Sequence, residues 1–531
     1  MKKLFVRVSL FLLMSAGVFS TGFAQKTVDK DVLNWYNREK PGMGTENAYQ
    51  LVKGKTPVPV VVGVIDSGVD IEHEDLKGQI WVNTKEIPGN GKDDDGNGYI
   101  DDIHGWNFLG GADGKNADNE NLEYVRIYKA GRAKFEGKQE SEISPEDRAA
   151  YKLWVECRDK LKKEKAEAQT MLAQYTMLRD QILPIVPMLV KKSMGVQNYN
   201  LEDLKKWKPK DEEGKQIREL AIQIESGALT QEDLDEGLKH FNDQLEYNLN
   251  PDFDGRKVVG DNPDDFSQRK YGNNDVKGPD ALHGTHVSGI IGAIRGNNLG
   301  GDGVAAPVQI MSLRAVPNGD EYDKDIALAI RYAVDNGASV INMSFGKAYS
   351  THPKEVYEAM KYAETKGVLL VHAAGNDAED LDVTQNYPAV KFDFQTEDFK
   401  NLLTIGASTR VKKGQLAASF SNYGAKSVDV FAPGFEIYNS IPENKYKNLQ
   451  GTSMAAPMVT GVAAFLKAYF PKLTMFEIKD IIIKSATPYG KTKQAKPGSG
   501  TPVAFGTLSK SGSVVNLEAA VKLAETASAA K

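Results

Sequence analysis

Four polar residues stand where chemistry could use them, each at the edge of an apolar element. Ser453 lies in Gly451-Thr452-Ser453-Met454-Ala455-Ala456-Pro457, ahead of an apolar run over residues 458–470 that reads as a buried helix. Gly461 in that run leaves room for close packing. Unpaired N–H groups and the helix dipole favour negative charge at such a helix start. That suits a serine attacking a carbonyl and generating an oxyanion, although a serine there also serves as an ordinary helix cap. His283 opens His283-Gly284-Thr285-His286-Val287-Ser288-Gly289, a small-residue segment running into an apolar helix. Imidazole titrates near neutrality and can take a proton from a hydroxyl. Two histidines three apart with no acidic third ligand make a poor zinc pair. One histidine as base and the other buried and structural is the better division.

Asp66 closes the β-branched run 57–66 (PVPVVVGVID) just before Ser67-Gly68, which reads as a buried strand ending in a tight turn. Sites in open α/β sheets lie at the carboxyl ends of strands, and a solvated strand-end carboxylate is the alternative there. Asn376 ends Ala373-Ala374-Gly375-Asn376. It is a turn residue by default and an oxyanion donor if it faces Ser453.

A second chemistry is written into residues 93–102, DDDGNGYIDD. Counting Asp93 as 1 puts Asp95 at 3, Asn97 at 5, Gly98 at 6, Tyr99 at 7 and Asp101 at 9, the first three-quarters of an EF-hand loop. Tyr99 would offer its backbone carbonyl. The closing Glu is missing, since His104 holds position 12, and Asp102 or a distant carboxylate would have to serve. The expected cofactor is a structural Ca2+, because so many acidic and amide groups repel or go unsatisfied without a cation.

The elements that must position these residues alternate. Residues 308–315, 340–345, 368–374, 402–407 and 428–432 read as strands, and 324–336 and 354–366 as helices between them. Helices are also expected over 475–485 and from about 516. Strand–helix alternation predicts an α/β fold, a parallel sheet with helices on both faces.

Residues 110–265 break the alternation. Ser144-Pro145-Glu146-Asp147 reads as a helix start, with the helix running to about Leu183 and stopped by Pro184 and Pro187. Ala150, Trp154, Cys157, Leu161, Ala168, Met171, Tyr175, Leu178 and Ile182 form a heptad stripe, with Glu164 in one slot. Ile217, Leu220 and Ile224, then Leu234, Leu238, Phe241 and Leu245 after a cap near Thr230, are the candidate partners. A helical, coiled-coil-like insertion follows, either a stable decoration or a surface for a protein partner or for gating substrates.

The chain has 531 residues and a formal net charge of −6, too mild to imply a nucleic-acid partner. Lys2, Lys3 and Arg7 precede an apolar stretch and Gly22-Phe23-Ala24, the pattern of a secretory signal peptide over residues 1–24, cut before Gln25. Removing those three charges takes the net charge from −6 to −9. No later stretch has 18 uninterrupted apolar residues, so no membrane span is expected. The single cysteine, Cys157, rules out an internal disulfide and falls in the helical seam, where it reads as core. The expected organisation is 1–24 signal peptide, 25–56 short segment, 57–109 first part of the catalytic domain, 110–265 insertion and 266–531 second part.

VIDSG around Asp66, HGTHVSG from His283, AAGN ending at Asn376 and GTSMAAP around Ser453 together resemble the signature segments of the subtilisin-like serine proteases, the subtilases. Their order, Asp then His then Ser, is the subtilisin order. The resemblance covers residues 34–107 and 271–520 and leaves the helical insertion outside. It implies a subtilisin-like sheet and an exported endopeptidase, periplasmic or extracellular, acting on peptides or proteins. By resemblance Ser453 is the nucleophile, His283 the base and then acid, and Asp66 the group that orients the imidazole. Asn376 and the Ser453 N–H stabilise the oxyanion, while Ser344, Phe345 and Gly346 line the substrate cleft with Gly375 nearby. Two features depart from the pattern. Only residues 25–56 stand where many secreted subtilases carry a folding propeptide, and 216 residues separate Asp66 from His283. An exopeptidase with a blocked cleft and a non-catalytic binding protein are the rival readings, and the intact motif residues weigh against the latter.

Overall fold

The computed structural model describes residues 32–411 and 414–531. The signal peptide expected over 1–24 lies outside them. Two compact units emerge within the described residues: one spans Tyr124–Phe253, and the other comprises the chain before and after it, through Glu123 and from Asp254 to Lys531.

The larger unit is built on β1 (Val60–Asp66), β2 (Gly105–Asn107), β3 (Val308–Arg314), β4 (Val340–Met343), β5 (Leu369–Ala373), β6 (Leu402–Ser408) and β7 (Val430–Pro433). β8 (Ile437–Ile441) pairs with β9 (Lys445–Leu449), and β11 (Lys493–Ala495) with β12 (Pro502–Ala504), as two-stranded sheets of their own. With β10 (Thr487–Pro488) and β13 (Ser513–Val514), the main sheet has nine strands in the order β10-β13-β7-β6-β5-β4-β1-β3-β2. Every pairing is parallel except β10 with β13. The expected α/β architecture with helices on both faces is what folds.

Side-chain alternation along β1 explains the two faces. Val60, Val62 and Val64 enter one apolar core with Val287, Val459 and Ile478, whereas Ile65 enters the other with Met311, Ile330 and Met360. The helices Leu282–Gly292, Thr452–Tyr469 and Met475–Ser485 supply the first core, and Asp323–Asp335 and Pro353–Thr365 the second. Fifteen of the eighteen residues in Thr452–Tyr469 are buried, which makes it an internal helix and accounts for its lack of a polar stripe. At Gly461 an added Cβ would sit 2.6 Å from that of Val304, so the glycine does permit the close approach.

The smaller unit is helical. Arg148–Met177 carries the heptad residues inward: Trp154, Cys157, Leu161, Ala168 and Tyr175 are buried. Glu164 interrupts the stripe because it accepts a hydrogen bond from the Tyr124 hydroxyl. Tyr175 packs on Phe241 at 5.4 Å between ring centroids, and the helix Gln231–Asp243 is capped by Thr230 as expected. Pro184 and Pro187 do not stop the helix. The backbone loosens into a π-helical turn at Leu178–Ile182, and each proline falls in the first turn of a new segment, Leu183–Ile185 and then Val186–Met194. A missing N–H costs nothing in a first turn.

Candidate active site

Asp66 ends β1, and His283 lies in the first turn of the helix Leu282–Gly292. Gly284 brings them together. A Cβ there would lie 2.1 Å from the Gly68 carbonyl oxygen, so only glycine lets the helix rest on the turn after β1. The His283 Nδ1–H then donates to Asp66 Oδ1 at 2.7 Å, with the Ser67 N–H on the same oxygen at 2.8 Å. Asp66 is 2% exposed, while the imidazole retains 36% of its surface. Burial acts to lower the His283 pKa, but the charge and hydrogen bond of Asp66, aided by Asp280, outweigh it and hold it above the ordinary histidine value. His286 is the structural histidine of the pair. Burial drives its pKa down to about 3, and its Nε2 faces the carbonyls of Ile437 and Lys447 at 3.0 and 3.1 Å.

Ser453 is the second residue of its helix and is half-buried. Pro457, four residues on, cannot donate to the Ser453 carbonyl as a helix residue would. The Ser344 hydroxyl does so instead at 2.9 Å, steadied by Asn342 Nδ2 at 2.9 Å, and Asn342 Oδ1 accepts from the Thr460 hydroxyl at 2.9 Å. A buried polar line thus locks the helix start to the end of β4. The Ser453 hydroxyl donates to the Ser344 carbonyl at 3.1 Å.

Asn376 stands exposed just past β5. Its Oδ1 accepts from the Thr452 N–H at 2.9 Å and the Thr452 hydroxyl at 3.0 Å, which leaves the amide hydrogens on the opposite side. A methyl group built on Gly451 would sit 3.5 Å from Asn376 Nδ2 and equally 3.5 Å from the Ser453 nitrogen. Two nitrogens that carry hydrogens thus lie equally far from one point beside the serine. Gly375 donates its N–H to Thr452 Oγ1 at 3.0 Å and so helps hold this turn.

Beyond β4 the chain runs through Ser344, Phe345 and Gly346. The Phe345 carbonyl is taken by buried His372 at 2.9 Å. Gly346 is exposed, and its backbone N–H and C=O make no hydrogen bond among the described residues. That is an open edge on which extended backbone can pair.

A model of the subtilase family matches residues 59–506, which is most of the chain. The chain belongs to the subtilase family. It is 39% identical over 217 residues to the thermophilic serine proteinase of Bacillus sp. (strain AK1), covering 41% of this chain and 48% of that protein. It is also 37% identical over 218 residues to thermitase of Thermoactinomyces vulgaris (41% and 69%) and 36% identical over 211 to subtilisin DY of Bacillus licheniformis (39% and 71%). The chain thus spans about half the length of the first of these relatives. In this subtilase the Asp66–His283 pair, the Ser453 helix start and the Asn376 turn all lie at the carboxyl end of the parallel strands, as an open α/β sheet requires.

The acidic loop is assembled differently from its linear spacing. Glu86, Asp93 and Asp95 place carboxylate oxygens within 4.8 Å of one another. Asp101 turns away to accept the N–H groups of Gly89, Asn90 and Gly91. Asp102 accepts from Asn83, Asn97 and Tyr332, and Asn97 Oδ1 accepts from the Tyr99 N–H. Asp101 and Asp102 are therefore not brought to the cluster. Glu86, outside the loop motif, joins Asp93 and Asp95, and its oxygens accept the N–H groups of Asp94, Asp95 and Asp101. A Glu several residues before the loop was the only sequence signal for it.

Proposed function

We propose that this subtilase is an exported serine endopeptidase that cleaves peptide bonds through an acyl-enzyme. The observation that carries the reading is the 2.7 Å Asp66–His283 pair, and the serine at the start of the helix Thr452–Tyr469, beside Asn376, supports it. Ser453 would rotate off the Ser344 carbonyl and pass its proton to His283 Nε2 as Oγ attacks the scissile carbonyl. Asp66 would hold the Nδ1–H and stabilise the imidazolium. The oxyanion would form against Ser453 N–H and Asn376 Nδ2. His283 would then protonate the leaving amine, and water would repeat the sequence in reverse on the ester. Gly346 supplies backbone pairing that makes little demand on substrate sequence, which favours cleavage within protein chains. The pattern of residues 1–24 supports export, and among the described residues no helix is long and apolar enough to cross a membrane. The test is labelling by a fluorophosphonate that reacts only with an activated serine: wild type should react and Ser453→Ala should not. An unlabelled wild type would sink the reading.

The pH profile follows from His283. Only neutral imidazole accepts the serine proton, so the rate rises with pH through a pKa held above the ordinary 6.5. Asp66→Asn removes the charge that raises it. The acid limb of kcat/KM should move to lower pH, and the plateau should fall by about 10⁴-fold. A limb that stays in place would show that Asp66 does not set the pKa.

The three gathered carboxylates suit a hard cation that prefers oxygen ligands, and Ca2+ bound at Glu86, Asp93 and Asp95 would relieve their mutual repulsion. Ca2+ at 100 times its dissociation constant would stabilise the fold by about 2.7 kcal/mol. Chelation should accordingly lower Tm in calorimetry, and Asp95→Ala should lower it without chelator and abolish the response. Identical melting curves with and without chelator would count against the site.

A further inference from the structure

Directly after the open edge at Gly346 comes a buried cation. Lys347 is 4% exposed, whereas lysines almost always stay at the surface. Its Nζ lies 2.9 Å from Glu123 Oε2, 2.9 Å from Asp323 Oδ1 and 2.8 Å from the Glu321 carbonyl oxygen. Those three partners match an ammonium's three hydrogens. The carboxylates are themselves held. Thr351 donates its hydroxyl to Glu123 Oε1 at 3.0 Å, and Ser350 and His352 donate to Asp323 Oδ2 at 2.9 and 2.8 Å. The Glu321 carboxyl, also buried, is pushed well above the usual carboxylate range by desolvation. The adjoining cavity holds only about 10 Å³, room for one water, so protein groups and not a ligand serve the ammonium.

The connections matter more than the pairs. Glu123 follows β2, Glu321 and Asp323 follow β3, and Lys347 follows β4. In the sheet β3 and β4 flank β1, which carries Asp66, and β2 lies on the far side of β3. Lys347 also exchanges backbone hydrogen bonds with Tyr387, 3.1 Å from its N–H and 2.8 Å to its carbonyl, so both its main chain and its side chain are fixed. A buried ion pair adds little net stability over an apolar substitute; its best-attested use is to fix register.

We propose that Lys347 is a positioning residue: its ammonium, held by Glu123 and Asp323, fixes the Gly346 edge on which an extended peptide pairs. It acts on substrate alignment and not on the bond-breaking step at Ser453. This rests on the peptidase reading and names a residue of that same cleft.

The test separates the two. Lys347→Met keeps the length of the side chain and removes the ammonium. Three quantities are measured: the labelling rate with a small fluorophosphonate, kcat and KM for a single-residue ester, and kcat and KM for a peptide with at least four residues before the scissile bond. The labelling rate and ester hydrolysis should stay within about twofold of wild type, while KM for the extended peptide rises about tenfold with kcat little changed. Glu123→Gln, which keeps an acceptor but no charge, should raise the same KM about threefold, and it carries the test if Lys347→Met does not fold. An unchanged KM for the extended peptide overturns the proposal. A fall in labelling and ester hydrolysis in step with peptide cleavage also overturns it, because that is the signature of a structural defect. If wild type itself is not labelled, the peptidase reading fails and the positioning role goes with it.

Discussion

Ser453→Ala is expected to lower kcat by about 10⁶-fold, the size of loss known for the nucleophile of subtilisin. The proposed mechanism attacks through the Ser453 hydroxyl, so the variant would have to run direct hydrolysis. Some rate enhancement should survive, because the proposed oxyanion donors, the Ser453 N–H and Asn376 Nδ2, are kept. The fold should not suffer. The hydroxyl makes one hydrogen bond, to the Ser344 carbonyl, worth about 1 kcal/mol, while the bond that holds the helix start uses the Ser453 carbonyl and is retained. His283→Ala should cost nearly as much, and the double variant no more than either alone, since the residues act as a unit. Hydrolysis of a chromogenic peptide measures this. A Ser453→Ala protein that keeps a per cent of wild-type activity would place the nucleophile elsewhere.

Arg256→Ala should destabilise the larger unit by about 3–5 kcal/mol, the cost of leaving a buried charge without its partner. Arg256 is 4% exposed. Its guanidinium spans Asp261, at 2.6 and 2.9 Å, and Asp325, at 2.6 and 2.9 Å, and it lies 4.8 Å from the ring centre of Tyr322. Burial works against the charge, but Asp325 and Asp261 hold the guanidinium pKa well above its ordinary value. The Asp325 side chain is fully buried, so removing Arg256 strands a carboxylate in the core. Asp261 retains Lys324. Thermal melting in a Ser453→Ala background, which removes self-digestion, reads the loss. Arg256→Met with Asp325→Leu should recover most of it, because deleting both members of a buried pair is far cheaper than deleting one. A single variant that melts with wild type would show that water reaches Asp325.

Arg256 also shows why part of this protein was not legible in one dimension. It lies in a polar, Asp-rich stretch after the heptad helices and reads as more of the insertion. Only the fold reveals that its partners sit 5 and 69 residues away and that the chain has already rejoined the larger unit. Lys347 is similar: in sequence it is one more charged residue after a glycine, and its burial depends on loops from three strands. The helix boundaries near Pro184 failed for the opposite reason. Local rules say proline ends a helix, but a π-turn can reset the phase so that each proline falls in a first turn.

The sequence by itself determined the architecture and the family, and it marked the residues for the chemistry. Strand and helix periods are local, so β1 and β3 to β7 were readable, and so was the parallel sheet they imply. The motifs were readable too, because their residue types have local consequences: small residues such as Gly284 allow close packing, and Pro457 cannot donate to the Ser453 carbonyl. Tertiary structure alone decided what those residues meet. Asp66 and His283 are 217 positions apart, and a hydrogen bond of 2.7 Å between them is a property of the sheet, not of either segment. The acidic loop makes the same point. Its spacing marked an acidic cluster, but which carboxylates gather depends on how the loop folds. Glu86, Asp93 and Asp95 gather, while Asp101 and Asp102 are held elsewhere by Gly89–Gly91 and by Asn83, Asn97 and Tyr332.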